Sequence, residues 1–322
     1  MTPTNQMTQA VPTLTLSHLP PVQSIWQLRF EKFRSHRLAM FSLGFLILLI
    51  VICLMAWPFS ALLGIDPNKT NLLYRFQPPS AEHWLGTDDL GRDVLVRLMF
   101  GGQVSIAVGL VATLLMAIVG VAIGVTAGFV GGRIDAVLMR VTDCMLALPL
   151  VPLLIVLGSI DLTKIGISQA SATSPLFVFL RIVIIIALVD WTTMARIARA
   201  GAIQIRDRDY VRAASVSGAN GRYNVIVHVL PNISTPLIVA STLTVGRVIL
   251  LESTLSFLGF GIVPPTPTWG NMLTNAQQLI ISAPHLAVYP GLLIFLTVMA
   301  VNFVGDGARF AFDPRSESGK SH

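Results

Sequence analysis

The sequence predicts an all-α membrane protein with six transmembrane helices. Hydrophobic residues make up 53% of its 322 residues and charged residues only 12%, whereas soluble domains average about 45–50% and about 25%. Six apolar stretches approach the roughly 20 residues that an α-helix needs to cross a bilayer. The Lys and Arg residues between these stretches are concentrated on one side of the resulting topology. Lipid rather than water is therefore the expected surrounding of most of the chain.

The apolar stretches divide the chain into membrane and loop segments. The predicted spans are residues 38–59, 104–130, 137–160, 176–195, 233–255 and 287–304. The predicted organisation is an N-terminal tail with an amphipathic helix (1–37), a first span (38–59), an outer loop (60–103), a five-helix core (104–305) that contains a long polar loop (196–231), and a C-terminal tail (306–322).

The N-terminal tail is expected to remain part of the protein, because no small-residue cleavage site of a signal peptide follows the first apolar run. Trp26, Phe30 and Phe33 share one face of a helix, and the basic residues lie elsewhere on it. This pattern is typical of an amphipathic helix at the membrane interface. A tail without regular structure is the alternative.

The second span carries a stripe of glycines. Gly120, Gly124, Gly128 and Gly132 recur every four residues, so a helix places them on one face. A face of small residues lets the backbone of another helix approach closely. Close packing between two helices is therefore expected there.

Two other spans contain residues that are unusual in transmembrane helices. Pro149 and Pro152 lie in the third span, and Arg247 and Glu252 lie in the fifth. Both spans are expected to stay helical, because neighbouring helices can satisfy the backbone groups that a proline frees.

The basic residues set the orientation. The six-span topology places 15 of the 22 Lys and Arg residues on the side of the termini and 5 on the opposite side, with Arg181 and Arg247 inside spans. An excess of Lys and Arg marks the cytoplasmic side. Both termini and the loop at 196–231 are therefore predicted to be cytoplasmic. This asymmetry accounts for the net charge of +6 and excludes nucleic acid as a partner.

The cytoplasmic loop is predicted to contain a short helix. In residues 206–232, RDRDYVRAASVSGANGRYNVIVHVLPN, the acids Asp207 and Asp209 precede helix-compatible residues, and Gly218 follows them. Acidic residues suit the positive end of the helix dipole, and glycine readily takes the left-handed conformation that ends a helix.

Small side chains on this helix suggest a binding surface. Ala213 and Ala214 leave one side nearly bare, which allows close approach by a groove on another protein. A solvated loop is the alternative. After the helix, Asn220 and Gly221 predict a turn, and Pro231 predicts the start of the fifth span.

The loop resembles the cytoplasmic EAA signature of bacterial ABC-importer permeases: Glu-Ala-Ala, three residues, Gly, nine residues, Ile, one residue, Leu-Pro. The matching positions, at the same spacing, are Arg212, Ala213, Ala214, Gly218, His228, Leu230 and Pro231. The resemblance implies that an ATPase docks on this segment, including Asp209 and Tyr210. Arg212 replaces an acid and His228 replaces an apolar residue. The reversed charge at Arg212 puts in doubt the salt bridge that the acid of the family makes with its ATPase.

Three further segments extend the resemblance over most of residues 38–315. They are HWLGTDDLGRDVLVRLMFGGQVSIAVG (83–109), ESTLSFLGFGIVPPTPTWGNML (252–273) and NFVGDGARFAFDPR (302–315). All three are similar to the second permease subunit of dipeptide, oligopeptide and nickel importers. The resemblance implies the ABC-importer permease fold with a cytoplasmic coupling helix, in the inner membrane of a bacterium.

The same resemblance implies the partners: a homologous second permease, one or two kinds of ATPase subunit, and a periplasmic or lipid-anchored substrate-binding protein. The sequence contains no GxxxxGK[ST] phosphate loop, so ATP and Mg are expected on the ATPase and no cofactor on this chain. No catalytic residue is expected, since the substrate crosses unchanged. The six histidines are scattered, and Asp88, Asp89 and Asp93 surround Arg92, so no metal site is predicted.

Four ionisable residues are candidates for the translocation pathway, since charges inside a membrane are usually functional. They are Asp143, Asp190, Arg247 and Glu252. Arg247 and Glu252 are five residues apart, which does not favour a pair on one helix face. They are expected either to pair across helices or to line a wet cavity. Asp190 has the alternative of a position near the cytoplasmic interface.

The predicted function is ATP-driven import of dipeptides or oligopeptides, with this chain forming half of the pathway. Nickel chelates and glutathione are alternative substrates. A secondary transporter coupled to protons through Asp143, Asp190 or Glu252 is the rival mechanism, and inverted repeats would favour it. A membrane-embedded hydrolase would need a nucleophile–base or metal motif that the spans do not show.

Overall fold

α-Helices provide nearly all the regular structure of the chain. The computed structural model describes residues 25–274 and 276–312. The α-helices in these ranges are α1 (Ile25–Ser35), α2 (Arg37–Leu54), α3 (Ala56–Leu63), α4 (Val94–Val130), α5 (Gly132–Ala147), α6 (Leu150–Ser159), α7 (Gln169–Ala172), α8 (Pro175–Asp190), α9 (Thr192–Arg206), α10 (Asp209–Val216), α11 (Gly221–Tyr223), α12 (Leu230–Phe257), α13 (Trp269–Met272), α14 (Ala276–Leu279) and α15 (His285–Phe312). A π-helical turn, Asn224–Val229, joins α11 to α12.

The prediction of a helical membrane protein with six spans is confirmed. Four helical segments are long and apolar enough to cross a membrane: α2, α4, the run from α11 through the π-helical turn to α12, and α15. Two bent pairs, α5 with α6 and α8 with α9, raise the number to six when each pair counts as one span. The bends measure 86° and 48°, respectively.

The third predicted span, 137–160, consists of two helices. α5 ends at Ala147, Leu148 is extended with φ −81° and ψ 136°, and α6 begins after Pro149. The proline ring clashes with a helical conformation of the residue before it, so Leu148 cannot continue α5. Pro152 does not interrupt α6, because it lies in the first turn, where N–H groups have no intrahelical acceptor. The expectation of one continuous helix is therefore wrong.

The second span begins earlier than predicted. α4 starts at Val94 rather than at 104, so the first outer loop ends at Asp93 rather than at 103. The Asp93 carboxylate accepts a hydrogen bond from Val96 N at 2.8 Å and lies 2.9 Å from His83 Nδ1, which fixes the first turn. At 1.5 Å per residue, α4 is about 55 Å long. Since the hydrocarbon core is about 30 Å thick, α4 extends well outside it.

The fifth span also begins earlier than predicted. Pro231 does not start the helix, because the helical run begins at Gly221. Asn220 caps that run by accepting a hydrogen bond from Tyr223 N at 2.8 Å, so the predicted turn at Asn220 and Gly221 is a helix start. The π-helical turn precedes Pro231. A proline has no N–H for the regular α-helical ladder, and a π-helical turn changes that ladder locally.

The glycine stripe of α4 packs against α9. A Cβ on Gly128 would lie 2.5 Å from the carbonyl oxygen of Arg199, and one on Gly124 would overlap the carbonyl oxygen of Ala195. Gly120 meets the same helix in the same way. These three glycines therefore bring the two backbones closer than any other residue type would allow.

Gly132, the fourth glycine of the stripe, has a different role. A Cβ there would meet nothing within 4 Å, and the residue has φ of +59°. Gly131 before it has φ of +73°. Positive φ values are readily adopted by glycine alone, so this pair turns the chain from α4 into α5. The prediction of close packing is wrong for Gly132.

Helices α1 and α15 bring the two described ends of the chain together. A Cβ on Gly307 would lie 3.0 Å from Cε2 of Phe33, so α1 lies close against α15. Phe30 is 63% exposed, which suits a helix at a membrane interface. The side chain of Trp26 lies outside the described residues. α15 continues to Phe312, beyond the predicted start of the C-terminal tail at 306.

We expect Gly124→Ala to destabilise the protein by about 1–3 kcal/mol, a typical cost of overpacking a close contact. Gly44→Ala is the matched control, because a Cβ on Gly44 of α2 would meet nothing within 4 Å. There the change should be neutral or stabilise the helix by up to about 1 kcal/mol. Thermal unfolding of the purified variants in detergent measures both effects. Equal melting temperatures for the two variants would contradict close packing of α4 on α9.

Candidate functional site

The segment at 206–232 contains the predicted helix, which is α10. Val211 is 2% exposed and anchors the inner face of α10. Asn224 Nδ2 donates a hydrogen bond to Ser215 Oγ at 2.8 Å, which joins α10 to the π-helical turn. Asp209 lies in the first turn of α10, as predicted, and is exposed. α10 is therefore fixed on its inner face and open on its outer face.

Gly218 ends α10 in the way the sequence predicts. Its φ is +94°, in the left-handed region. The N–H of Gly218 donates to the carbonyl of Ser215 at 3.1 Å, and the N–H of Ala219 donates to the carbonyl of Ala214 at 3.0 Å. These two bonds form a Schellman motif, which satisfies carbonyls at the helix end. The direction of the chain after α10 depends on this glycine.

An aromatic cluster lies between α10 and the helical run that follows. The ring centroid of His228 is 5.6 Å from that of Tyr210 and 5.9 Å from that of Tyr223, and both pairs are edge-on. His228 replaces the apolar residue of the family pattern, and its ring packs α10 against the π-helical turn. Sequence analysis did not find this cluster, because nothing in the spacing of these three residues indicates that they meet.

The outer face of α10 is partly apolar and carries one cation, Arg212. Val216 is 91% exposed and Tyr210 is 45% exposed, while Arg212 and Ala213 are also exposed. Within the described ranges, Arg212 has no ion pair. The face thus combines an exposed apolar side chain, a small residue and a free cation, which is a suitable composition for contact with another protein.

The last residues of the EAA-like pattern lie at the start of α12. Leu230 is partly buried against the apolar cluster that contains Val229 and Ile233, while Pro231 is exposed. Ala214 of α10 is half-buried. The pattern therefore places Arg212 and Ala213 outward and Leu230 inward.

Arginines of α9 attach this region to α4 and α5. Arg199 donates two hydrogen bonds to the Asp135 carboxylate, from Nε at 2.6 Å and from Nη2 at 2.7 Å. Arg206 Nη1 donates to the carbonyl of Gly128 at 3.1 Å. A two-point arginine–carboxylate contact fixes orientation as well as distance. α9, which leads directly into α10, is therefore held on both sides.

Asp143, a pathway candidate, lies on the surface. It is 2.7 Å from Arg196 Nη2, and both side chains are more than half exposed. An exposed ion pair contributes little to stability, typically about 0–1 kcal/mol. The structure therefore places Asp143 with the other contacts between α5 and α9 and apart from the other three pathway candidates.

Asp190 and Arg247 pair across helices inside the membrane region. Arg247 Nη2 of α12 lies 2.5 Å from Asp190 Oδ2 of α8. The Asp190 side chain is 7% exposed, whereas that of Arg247 is 44% exposed. Asp190 is thus buried in the protein and has a charged partner. Arg247 pairs across helices, and its exposed part lines a cleft.

Glu252 pairs with hydroxyl groups rather than with a cation. It is fully buried and accepts hydrogen bonds from Ser256 Oγ at 2.7 Å and Ser105 Oγ at 3.1 Å. Those same hydroxyl oxygens accept hydrogen bonds from Ile262 N at 3.0 Å and Trp269 N at 3.2 Å. Glu252 therefore joins α4 and α12 to the outer segment between α12 and α13.

The outer segment is further held by Asn271 and Trp269. Asn271 Nδ2 donates to the carbonyls of Ile262 at 2.9 Å and Thr266 at 2.8 Å. The indole N–H of Trp269 donates to the carbonyl of Leu98 in α4 at 3.0 Å. Side-chain hydrogen bonds thus attach the outer segment to α13, and α13 to α4.

The acidic cluster of the first outer loop forms local ion pairs, as predicted. Asp88 Oδ2 lies 2.7 Å from Arg92 Nε and 3.6 Å from Arg97 Nε. Asp88 Oδ1 accepts from the backbone N–H groups of Leu90 and Arg92, both at 2.9 Å. Asp93 caps α4. Both carboxylates therefore serve the fold of the loop.

We expect Glu252→Met to loosen the outer segment, because the hydroxyls of Ser105 and Ser256 would lose their acceptor. A buried donor without a partner costs about 1–3 kcal/mol, so the amides of Ile262 and Trp269 should exchange with deuterium about 10–100-fold faster. Glu252→Gln is the intermediate case, since its one carbonyl oxygen can accept from one serine hydroxyl while its amide N–H can donate to the other, so a smaller change in exchange is expected. Hydrogen-exchange mass spectrometry of both variants measures this effect, and unchanged protection in Glu252→Met would contradict it.

Comparison with known proteins identifies two family models along the chain. A model described as binding-protein-dependent transport system inner membrane component matches residues 120–318. A model described as the N-terminal TM domain of oligopeptide transport permease C matches residues 24–79. Together they cover both ends of the helical membrane region, and the first alone covers more than half of the chain.

Curated relatives match over nearly the whole length. The chain is 36% identical over 292 residues to the oligopeptide transport system permease protein OppC of Bacillus subtilis (strain 168), covering 91% of this chain and 90% of the relative. It is 36% identical over 295 residues to the dipeptide transport system permease protein DppC of Alkalihalophilus pseudofirmus, covering 92% and 91%. A putative peptide transport system permease protein of Brucella abortus biovar 1 is 38% identical over 287 residues, covering 89% and 90%.

Four to six apolar spans among the described residues, a match to the family model over residues 120–318 and a relative aligned over 91% of this chain lead to one assignment. The chain is a multi-pass membrane protein and belongs to the family of binding-protein-dependent transport system inner membrane components.

Proposed function

We propose that this chain is one of two permease subunits of an ATP-driven importer of short peptides, with both termini in the cytoplasm of a bacterial cell. The observation that carries the proposal is α10, a short helix fixed on its inner face and open on its outer face. It occupies the position in the chain that resembles the docking segment for an ATPase. The chain itself forms half of the pathway and catalyses no reaction.

The substrate class is inferred from the relatives. Two of them are named as oligopeptide and dipeptide permeases, which supports short peptides. Reconstitution of this chain with its second permease, ATPase and binding protein tests the inference through uptake of labelled tripeptide, nickel chelate and glutathione by proteoliposomes. ATP-dependent uptake of the tripeptide supports it. Uptake of nickel chelate or glutathione alone would replace it with one of these alternatives.

The described ends of the chain support a common side for both termini. α1 lies against the last part of α15, and a cleft joins the start of α12 to Arg309 and Phe312 near the end of α15. α10 directly precedes the helical run into α12. The contact of α1 with α15 and the position of α10 before α12 support one common side for both termini and α10, and the excess of Lys and Arg supports the cytoplasm as that side.

A docked ATPase would transmit its movement through fixed contacts. The hydrogen bond between Asn224 and Ser215 and the His228 ring join α10 to α12. Arg199 and Arg206 join the preceding helix, α9, to α5 and α4. A displacement of α10 would therefore shift several membrane helices together rather than deform one loop. Such rigid-body shifts are a common form of conformational change in proteins.

The exposed Arg212 of α10 predicts a complementary group on the partner. Arg212 is exposed and, among the described residues, it has no acidic neighbour within ion-pair distance. The family pattern has an acid at this position. The ATPase of this transporter is therefore expected to present an acidic residue to Arg212. ATP and Mg bind that partner, and a substrate-binding protein delivers peptide to the outer face.

The environments of the three carboxylates do not favour proton-coupled transport. Asp143 forms an exposed pair with Arg196, Asp190 pairs with Arg247, and Glu252 is enclosed by hydroxyl groups. The three are held by different partners and do not hydrogen-bond to one another. The family assignment likewise favours a component driven by an ATPase.

Val216→Glu should prevent ATPase docking, because the substitution puts a charge where an exposed apolar side chain is available for contact. Ile281→Glu is the matched control: Ile281 is 94% exposed and lies on the predicted outer side. Co-purification of the ATPase with the tagged permease, extracted in mild detergent, should fall at least tenfold for Val216→Glu alone. If equal amounts of ATPase co-purified with both variants, α10 would not be part of the docking surface.

Gly218→Val should uncouple the ATPase while the protein remains in the membrane. Valine does not tolerate φ of +94°, so the Schellman motif and the exit from α10 would be lost. Gly218→Asn is the matched control, because asparagine adopts the left-handed conformation far more readily. Peptide uptake should drop at least tenfold for the valine variant and remain near wild type for the asparagine variant. Normal uptake by Gly218→Val would count against docking through α10.

A further inference from the structure

A cleft of about 680 Å³ opens between α9, α12 and α15. Its walls are largely aliphatic and threonine side chains of α12, including Val239, Leu243 and Thr244. Clefts of about 300–1,000 Å³ are typical of small-molecule sites. The cleft is thus large enough to hold part of a short peptide.

The cleft follows α12 for a considerable distance. Thr235 lies at one end of its α12 wall and Arg247 at the other. At 1.5 Å per residue, these positions are about 18 Å apart along the helix. An extended peptide spans at most about 3.3–3.6 Å per residue, so about five residues could lie along this wall.

The two charged residues that line the cleft are both arginines. Among the described residues, its lining contains Arg247 and Arg309 and no carboxylate. Arg309 lies near the end of α15, whereas Arg247 lies in the middle of α12, in the membrane region. The cleft therefore presents positive charge against otherwise uncharged walls, and it is complementary to an anionic group.

Arg247 has hydrogen-bonding capacity left for a ligand. Its hydrogen bond to Asp190 uses Nη2, and a guanidinium group has five N–H donors. Within the described ranges, Asp190 is its only hydrogen-bond partner. Because 44% of the Arg247 side chain is exposed, the remaining donors are accessible from the cleft.

Asp190 fits the role of a positioning residue behind Arg247. Its carboxylate is almost fully buried, with a side-chain exposure of 7%, so a ligand in the cleft would meet the guanidinium first. An ion pair also lowers the cost of keeping a cation inside the membrane. Two-point contact with a carboxylate is a geometry for which arginine is well suited.

We propose that Arg247 binds the C-terminal carboxylate of a peptide in transit, and that Asp190 holds the guanidinium in place for this contact. The inference rests on the proposed function, because it takes a short peptide as the substrate. It adds a selective contact inside the permease, in addition to any selection by the binding protein.

The test compares two variants that differ at Arg247 alone: Asp190→Asn, and the double variant Asp190→Asn with Arg247→Gln. The double variant avoids leaving a buried carboxylate without its partner, which would be strongly destabilising. Each is reconstituted with its second permease, ATPase and binding protein. Uptake of trialanine and of trialanine amide is then measured in proteoliposomes. Any preference of the binding protein is common to all variants and cancels when their acid-to-amide uptake ratios are compared.

We expect Asp190→Asn to lower the acid-to-amide ratio partly, because the asparagine oxygen can still accept from the guanidinium but no longer carries the charge that holds it. The double variant should lower the ratio about tenfold relative to wild type. A tenfold change corresponds to about 1.4 kcal/mol. Asp190→Asn with Arg309→Gln is the matched control, which removes the other arginine of the cleft. The acid-to-amide uptake ratio of this control should differ less than twofold from that of Asp190→Asn. ATPase activity within twofold of wild type in all complexes would show that docking is intact.

Three results in the double variant would overturn the inference. They are an acid-to-amide uptake ratio equal to that of wild type, an equal decrease in the uptake of trialanine and trialanine amide, and absence of the second permease from the purified complex. The last result would identify the cleft as a contact between subunits. The proposed function is tested separately by the wild-type complex. If that complex imported no short peptide, the proposed function and this inference would both fail. If the wild-type complex imported short peptides but the double variant had an unchanged acid-to-amide ratio, the inference about Arg247 would fail and the proposed function would stand.

Discussion

The contact between α4 and α9 is the constraint on which the position of α10 depends. Three glycines of α4 bring its backbone against the carbonyl oxygens of Trp191, Ala195 and Arg199. Because glycine has no Cβ, the two helices approach more closely than other residues permit. Arg199 and Arg206 then reach Asp135 and the end of α4 from fixed positions. The location of α10, which follows directly after α9, is thus decided by a contact inside the membrane.

α12 is held differently along its length. At its outer end, Glu252 and two serine hydroxyls join it to α4 and to the outer segment. Near its middle, Arg247 is joined to α8 by one ion pair. At its inner end, the π-helical turn and Pro231 interrupt the regular backbone ladder. α12 is therefore held by polar contacts near Glu252 and by apolar packing of Ile233 against α9 near its start, and the open cleft lies between these two regions.

The sequence predicts the features that depend on local chemistry. The apolar stretches predict the spans, and Asp209 and Gly218 predict the limits of α10, because caps and periodicity act over a few residues. The break at Leu148 was predictable in principle from Pro149, but neighbouring helices can also preserve a span that contains proline. Sequence alone gave no means of choosing between these outcomes.

Contacts between distant segments were beyond sequence reasoning. The partner of Arg247 is Asp190, 57 residues earlier, and Glu252 binds Ser105, 147 residues earlier. Spacing along a helix identifies which residues share a face, but it does not specify which helix faces them. The role of each charge follows only from its partner. Glu252, which is enclosed by hydroxyl groups, stabilises the fold. Arg247 is bound by Asp190 on its buried side and exposed to the cleft on the other, so it remains available to a ligand.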